Sequence, residues 1–396
     1  MSTRETSQIN SASTLPGTLA GAYLRQFWQP VAFSADLAAE RPRHVKLMGE
    51  EFTLYRDKAG GVHLVDGNCA HRGARLALGW VEPDGIRCRY HGWKYDFAGQ
   101  CVEQPAELRS FAKKMCVRNF RTVERYGVIF VLLAPQADAP FVEMFGRDDL
   151  EQTSGVHFHH FSMVRNYNYF QDLENLVDSS HVPFLHGRSA FRSSETEGGD
   201  VAPRVSEVAT ITAQETEYGM LETSSSPGGV ARSILYVMPN AVYFRTCADR
   251  RFMDMEAAIW VVPIDDVSHM FYSVMAVAPD QREILERVRL AEARCASLGR
   301  DAVHRQMDEL IRAVLDGSKS IEDVKSVPFS VHIEDCIVQA SQGVLCKRAN
   351  EHLGESDGGM ILLRRLWKRE LEAQAQGRPL TSFRGPTRLP RGVYAI

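Results

Sequence analysis

The chain is 396 residues long and 44% hydrophobic, enough to bury a large core and to form two domains. Its 46 Lys and Arg against 50 Asp and Glu leave a net charge of -4, so no electrostatic footprint for nucleic acid is present. No apolar run approaches the ~18 residues of a membrane span, and the polar start MSTRETSQINSASTLPGT is unlike a signal peptide, so a cytoplasmic location with no membrane partner is expected.

In chain order, TLAGAYLRQFWQPVAFS reads as a short helix-like segment, and residues 1–44 are expected to form an N-terminal segment that packs on a larger, C-terminal domain. Residues 45–138 then break into short apolar runs separated by Gly, Asp and Pro, the pattern of a small β domain. VKLMGEEFTLYRDKAGGVHLVDG alternates as a meander, and CVRNFRTVERYGVIFVLLA supplies two closing strands, the second continuously apolar. A boundary near APQADAP, residues 134–140, leaves 139–396 as the larger domain. There, β signals run over residues 233–278, and DQREILERVRLAEARCASLGRDAVHRQMDELIRAVLDG is helical by composition and by apolar spacing. SVHIEDCIVQASQG predicts a helix with Ile333, Cys336 and Ile337 on its apolar face, and EHLGESDGGMILLRRLWKREL predicts an amphipathic terminal helix.

The chemistry starts in CAHRGARLALGWVEPDGIRCRYHGWKYDF, residues 69–97. It holds two mixed pairs, Cys69-x-His71 and Cys88-x-x-His91. Zinc fingers usually group thiolates with thiolates and imidazoles with imidazoles. One of each from both loops suits two irons side by side, one held by Cys69 and Cys88 and the other by His71 and His91, the ligand set of a Rieske [2Fe-2S] centre. The other cysteines Cys101, Cys116, Cys247 and Cys295 show no ligand spacing and read as core residues.

A second metal is indicated by NYNYFQDLENLVDSSHVPFLHG. Asp178 and His181 are at i, i+3, on one helix face. His181 and His186 are at i, i+5, about 140° apart on an ideal helix, so a bend is needed before both can reach one ion, and Pro183 is suited to make it. Two His and one carboxylate form the facial triad of non-heme Fe(II) oxygenases. A third ligand is then needed to complete the set.

These segments resemble the Rieske non-heme iron oxygenases, in the phthalate-dioxygenase-like branch. C-x-H-R-G and C-x-x-H-G-W match at Cys69, His71, Arg72, Gly73 and at Cys88, His91, Gly92, Trp93, with Ala70 where many members carry Pro. Asp-x-x-His-x-x-x-x-His matches at Asp178, His181 and His186, and LRQFWQPV and the 351–371 segment extend the likeness over nearly the whole chain. The resemblance implies an α+β protein: an N-terminal all-β Rieske domain, then a catalytic domain with an antiparallel sheet surrounded by helices, of the helix-grip, START-like kind. It implies a Rieske [2Fe-2S] cluster, and a mononuclear Fe(II) whose third ligand is an Asp far downstream; in SVHIEDCIVQASQG Glu334 and Asp335 compete for that place, Asp335 is chosen because DCIVQ follows the family pattern, and Glu334 is left either solvent-exposed or as a supporting acceptor. It further implies that Asp178 bridges His181 to His91 of an adjacent chain for electron transfer, hence a homotrimer or stacked trimers.

The function implied is that of a terminal oxygenase fed with electrons from NAD(P)H by a separate flavin and iron-sulfur reductase, with or without a ferredoxin. No G-x-G-x-x-G follows a strand in this chain. The expected reaction is ring dihydroxylation of an aromatic carboxylic acid, and the alternative is O- or N-demethylation of a methoxylated or N-methyl aromatic. A Rieske electron carrier without oxygenase activity is disfavoured because a carrier needs no further domain of ~250 residues. Among Arg232, Arg245, Arg250 and Arg251, Arg245 in AVYFRTCA is the candidate clamp for a substrate carboxylate, because its strand is otherwise apolar. His157 and His159 share a strand face and read as structural.

Overall fold

A computed structural model describes residues 10–134, 139–145, 155–186, 210–225, 232–246, 255–381 and 383. The chain divides into two compact units: a smaller one of Ser13–Phe141 with Val262–Asp266, and a larger one of Met1–Ala12, Val142–Val261 and Val267–Ile396. Residues 13–44 belong to the smaller unit.

The smaller unit carries helix α1 (Leu19–Leu24) and strands β1 (Gln29–Phe33), β2 (Arg43–Leu47), β3 (Glu50–Arg56), β4 (Val62–Asp66), β5 (Trp80–Glu82), β6 (Gly85–Arg87), β7 (Lys94–Asp96), β8 (Cys101–Glu103), β9 (Asn119–Arg125) and β10 (Val128–Leu132). The helix-like opening segment is therefore half helix and half strand. Its QPVAF part becomes β1 and pairs with β10, whose unbroken apolarity matches burial at every position. A six-stranded sheet in the order β1-β10-β9-β4-β3-β2 lies in the same unit as a four-stranded meander β5-β6-β7-β8. Tyr55, Val65, Leu76, Ile86, Trp93 and Tyr95 form a core that includes Cys69 and Cys88. Both thiols are thus set by close packing rather than by mobile loop tips. Of the cysteines read as core, Cys101 is buried but Cys116 is exposed, and Cys247 lies outside the described residues.

The larger unit contains an antiparallel sheet in the order β11-β17-β16-β15-β14-β13-β12. Its strands are β11 (His157–Arg165), β12 (Thr210–Thr216), β13 (Gly219–Ser225), β14 (Arg232–Val237), β15 (Ala241–Thr246), β16 (Met255–Pro263) and β17 (His269–Val277). Its helices are α2 (Tyr169–Leu176), α3 (Val182–Leu185), α4 (Arg282–Leu298), α5 (Arg300–Leu315), α6 (Ser330–Ser341) and α7 (Gly358–Ala375). The long helical segment is split at Gly299, whose φ of +79° lies in the left-handed region that a residue with a side chain avoids. The terminal helix α7 lays Leu363, Leu366, Trp367 and Leu371 into the interior. Trp367 donates its indole N-H to the Tyr236 hydroxyl of β14 at 3.0 Å and meets Phe170 of α2 edge-on. No described helix is long and apolar enough to cross a membrane.

Candidate metal centres

The two cysteine-histidine loops share one backbone design. Cys69 N-H donates to Ala74 O and Gly73 N-H returns to Cys69 O; in the second loop Cys88 N-H donates to Trp93 O and Gly92 N-H to Cys88 O. Each loop therefore closes over the same number of residues, although His71 sits two and His91 three positions after its cysteine. Gly73 and Gly92 have φ of +73° and +75°, which is why glycine stands at the closing position of both.

Between the loops the His71 and His91 rings lie 4.7 Å apart, and His71 is stacked on Trp93 at 4.5 Å with planes 6° from parallel. Cys69 and Cys88 are only 3% and 2% exposed. Burial holds the free Cys69 thiol above the ordinary thiol range, while the Tyr95 hydroxyl 3.1 Å from Cys69 Sγ works in the opposite direction. Tyr95 also accepts the Ala70 N-H at 3.0 Å, which ties the loop to β7. The buried Nδ1 of His71 has no hydrogen-bond partner. An imidazole nitrogen enclosed without a partner, beside two buried thiols and a second imidazole, fits a cluster that would occupy all four donors.

In the larger unit α2 is capped at its start by Asn168, whose side chain accepts the Phe170 N-H, and it ends at Leu176. Asp178 therefore lies in a turn and not on a helix face with His181. Its Oδ1 accepts from the Ser180 N-H at 2.9 Å and from the Ser180 hydroxyl, an Asx turn that sets up the next helix. His181 and His186 flank the single turn α3 as its N- and C-cap residues. Pro183 sits in the first turn of α3, where its missing N-H costs nothing. The expected bend between the histidines is thus absent. The chain turns before His181 instead, and the non-helical spacing is resolved because both rings project from the ends of one turn, with centroids 5.3 Å apart.

Asp335 comes from α6. The donor atoms of His181, His186 and Asp335 all lie within 4.8 Å of one another. Asp335 Oδ1 is 3.0 Å from His186 Nε2 and 3.6 Å from His181 Nε2. Glu334, fully buried, takes the other side of the same imidazole at 2.7 Å from Nδ1. Successive helical residues point about 100° apart, so neighbouring carboxylates can hold the two nitrogens of one ring. That leaves Nε2 turned toward Asp335 and His181. Burial opposes a charged imidazole, yet Asp335 and Glu334 raise His186 to about 9. A cation among the three donors would take the place of that proton.

Asn175 and Gln339, which the sequence did not single out, complete the support. Asn175 donates to Asp335 Oδ1 at 3.2 Å, and Gln339 donates to Asn175 Oδ1 at 2.9 Å, so a chain of amides links α2 to α6. Behind them Arg165 is buried, donating to Asp172 Oδ1 at 2.5 Å and to Nδ1 of His332 at 3.3 Å. Burial beside that guanidinium pushes His332 down to about 3, so its ring is a neutral acceptor. Asp172 also faces Tyr167 and His269, and this charge is fully paired. Asp178 Oδ2 stands 3.8 Å from His181 Nδ1, beyond hydrogen-bond reach.

The remaining candidates fall elsewhere. Arg245 lies on β15 paired with Glu256 of β16, and its side chain, like that of Arg232, lies outside the described residues. Arg250 and Arg251 lie outside them altogether. His157 and His159 both face Glu292 of α4, at 3.0 and 2.9 Å, an ion-pairing arrangement that anchors helix to sheet.

Residues 27–121 match the Rieske [2Fe-2S] domain family. The phenoxybenzoate dioxygenase subunit alpha of Ectopseudomonas oleovorans is 30% identical over 376 residues, 91% of this chain and 84% of that protein. The 5,5'-dehydrodivanillate O-demethylase oxygenase subunit of a Sphingobium strain is 27% identical, over 94% of this chain and 81% of that one. Among solved structures, NdmA of Pseudomonas putida CBB5 with caffeine superposes with a TM-score of 0.66 at 21% identity, covering 90% of this chain and 93% of that one.

Proposed function

This chain belongs to the Rieske non-heme iron oxygenases, as the oxygenase (alpha) subunit of a multicomponent system that uses a Rieske [2Fe-2S] cluster and a mononuclear iron, and from that premise we propose that it dihydroxylates the ring of an aromatic carboxylic acid. The observation that carries the reading is the convergence of His181, His186 and Asp335, two imidazoles and one carboxylate whose donor atoms all lie within 4.8 Å of one another. The phenoxybenzoate-oxidising relative supports the substrate class, and Arg245 is the proposed clamp for its carboxylate. Cys69, Cys88, His71 and His91 are the proposed cluster ligands.

With both metals bound, the cluster supplies single electrons and the iron a place for oxygen activation. The protein's own part is geometric. Glu334 fixes the tautomer and direction of the His186 ring, Asn175 holds the Asp335 carboxylate, and the Arg165-Asp172 pair fixes the floor beneath His332 and α6. Asp178, kept ionised by Ser180 and His181 against burial, is the proposed electron bridge to His91 of an adjacent chain, in a homotrimer closed head to tail. Electrons are proposed to come from NAD(P)H through a separate flavin and iron-sulfur reductase.

Demethylation is the second reading, favoured by the likeness to an O-demethylase oxygenase subunit. Iron-replete protein fed by a surrogate reductase separates the two. A cis-dihydrodiol from benzoate-type acids supports the first; formaldehyde from methoxybenzoates without a dihydrodiol replaces it with the second. No oxygen uptake with either, and no nitric oxide complex at a high-spin iron by EPR, would refute both.

A further inference from the structure

The ring of His332 in α6 is held on one side and free on the other. Its Nδ1 lies 3.3 Å from a guanidinium nitrogen of the buried Arg165, which is itself fixed by Asp172 and by the Phe271 ring 4.0 Å away. The imidazole stacks on Phe161 of β11 with centroids 4.4 Å apart and planes 11° from parallel, and it meets Phe271 of β17 at 62°. Phe161 and Arg165 share one face of β11, and Phe271 joins that face as the partner of Met163 across the strand pair. Phe329, just before α6, also stacks on Phe161, at 5.1 Å. Its φ of +63° lies in the left-handed region that a bulky residue rarely adopts, so the start of α6 is fixed against the strand at a cost in backbone strain. The other ring nitrogen, Nε2, has no hydrogen-bond partner among the described residues, and His332 is only partly buried.

A guanidinium can only donate, so its bond to Nδ1 requires a lone pair there and places the ring proton on Nε2. Stacking on Phe161 and the Arg165 bond together fix the direction of that N-H. Asp335 follows three positions later on the same face of α6, and residues so spaced have Cβ atoms about 5–6 Å apart. The free donor therefore stands one helical turn from the carboxylate that converges with His181 and His186. We propose that His332 is a specificity-determining residue that presents its Nε2-H as a neutral hydrogen-bond donor to a carboxylate oxygen of the aromatic acid. The role rests on the aromatic-acid reading of the substrate. A carboxylate has two oxygens and about four acceptor sites, so this donor and the Arg245 clamp are compatible.

Anaerobic calorimetric titration of the reduced holoenzyme with benzoate, and with toluene as a probe of similar shape that has no acceptor, tests the assignment. His332→Phe keeps a ring against Phe161 and removes the donor. It should weaken benzoate binding about 10- to 100-fold, the worth of a hydrogen bond to a charged group, and leave toluene binding within about twofold of wild type. His332→Gln, whose amide can accept from Arg165 and still donate outward, should restore most of the benzoate affinity. His332→Leu replaces the Phe variant should that lose its metals. Benzoate bound alike by wild type and the donor-less variant, or weakened in step with toluene, overturns the donor and leaves the acid reading standing. No benzoate binding to wild type overturns the acid reading itself, and the carboxylate donor falls with it.

Discussion

The two candidate metal centres are built in opposite ways. The cluster site consists of two short loops, each closed by its own backbone and each carrying a thiol and an imidazole within a few residues. The iron site joins a turn at residues 178–186 to a helix about 150 residues later, and its donors are aimed by side chains: Glu334, Asn175 and Gln339. Backbone hydrogen bonds hold the first and a buried polar network holds the second. Local closure tolerates change in the surroundings, while a network must be satisfied at every member.

The largest effect that would sharpen this contrast comes from removing a converging donor. Asp335→Ala should abolish turnover and mononuclear iron binding while the cluster's visible and EPR spectra stay intact; a joint loss of both metals would mean that the centres are not independent. Next come the supports. Glu334→Gln and Asn175→Ala should each lower iron affinity or activity by about 10- to 100-fold, measured by iron content under a competing chelator. A change below twofold in both would show that the three donors are set by the fold alone. Removing one partner of a buried pair is a matter of stability: Asp172→Ala should cost about 3–5 kcal/mol in denaturant unfolding, because Arg165 is left charged and unpaired.

How much could be read from the sequence follows the same division. The four candidate residues of the loops stood out because their spacing is local. His181 and His186 were legible too, but the reason for their convergence was not: Pro183 starts a turn rather than bending one, and the break falls at Val177–Ser180, where an Asx turn leaves little hydrophobic signal. Residue types alone left Glu334 and Asp335 open, since both belong to one helix, and only resemblance chose between them. The structure gives each a side of the His186 ring. Asn175 and Gln339 carry no pattern, because a polar residue in an apolar surrounding reads alike whether it supports a site or faces solvent. Arg165 had a signal that went unused: like Arg245, it stands in a strand with apolar neighbours, FSMVR.

The smallest effect tests whether side chains matter at the cluster site as well. Tyr95 is one such contact, its hydroxyl 3.1 Å from Cys69 Sγ and 3.0 Å from Ala70 N. If the backbone alone sets the loop, Tyr95→Phe should leave cluster content unchanged, since the Cys69 to Ala74 and Gly73 to Cys69 bonds remain. The hydroxyl would donate to a metal-bound thiolate and favour the reduced, more negative cluster. Its loss should therefore lower the reduction potential by roughly 40 mV, the one-electron equivalent of about 1 kcal/mol for a single hydrogen bond. Protein-film voltammetry reads this directly. A drop of that size with full cluster occupancy would divide the labour cleanly, with backbone for position and side chain for potential. Loss of the cluster in Tyr95→Phe would mean that this loop, too, is held by its side-chain contacts, and the contrast between the two centres would dissolve.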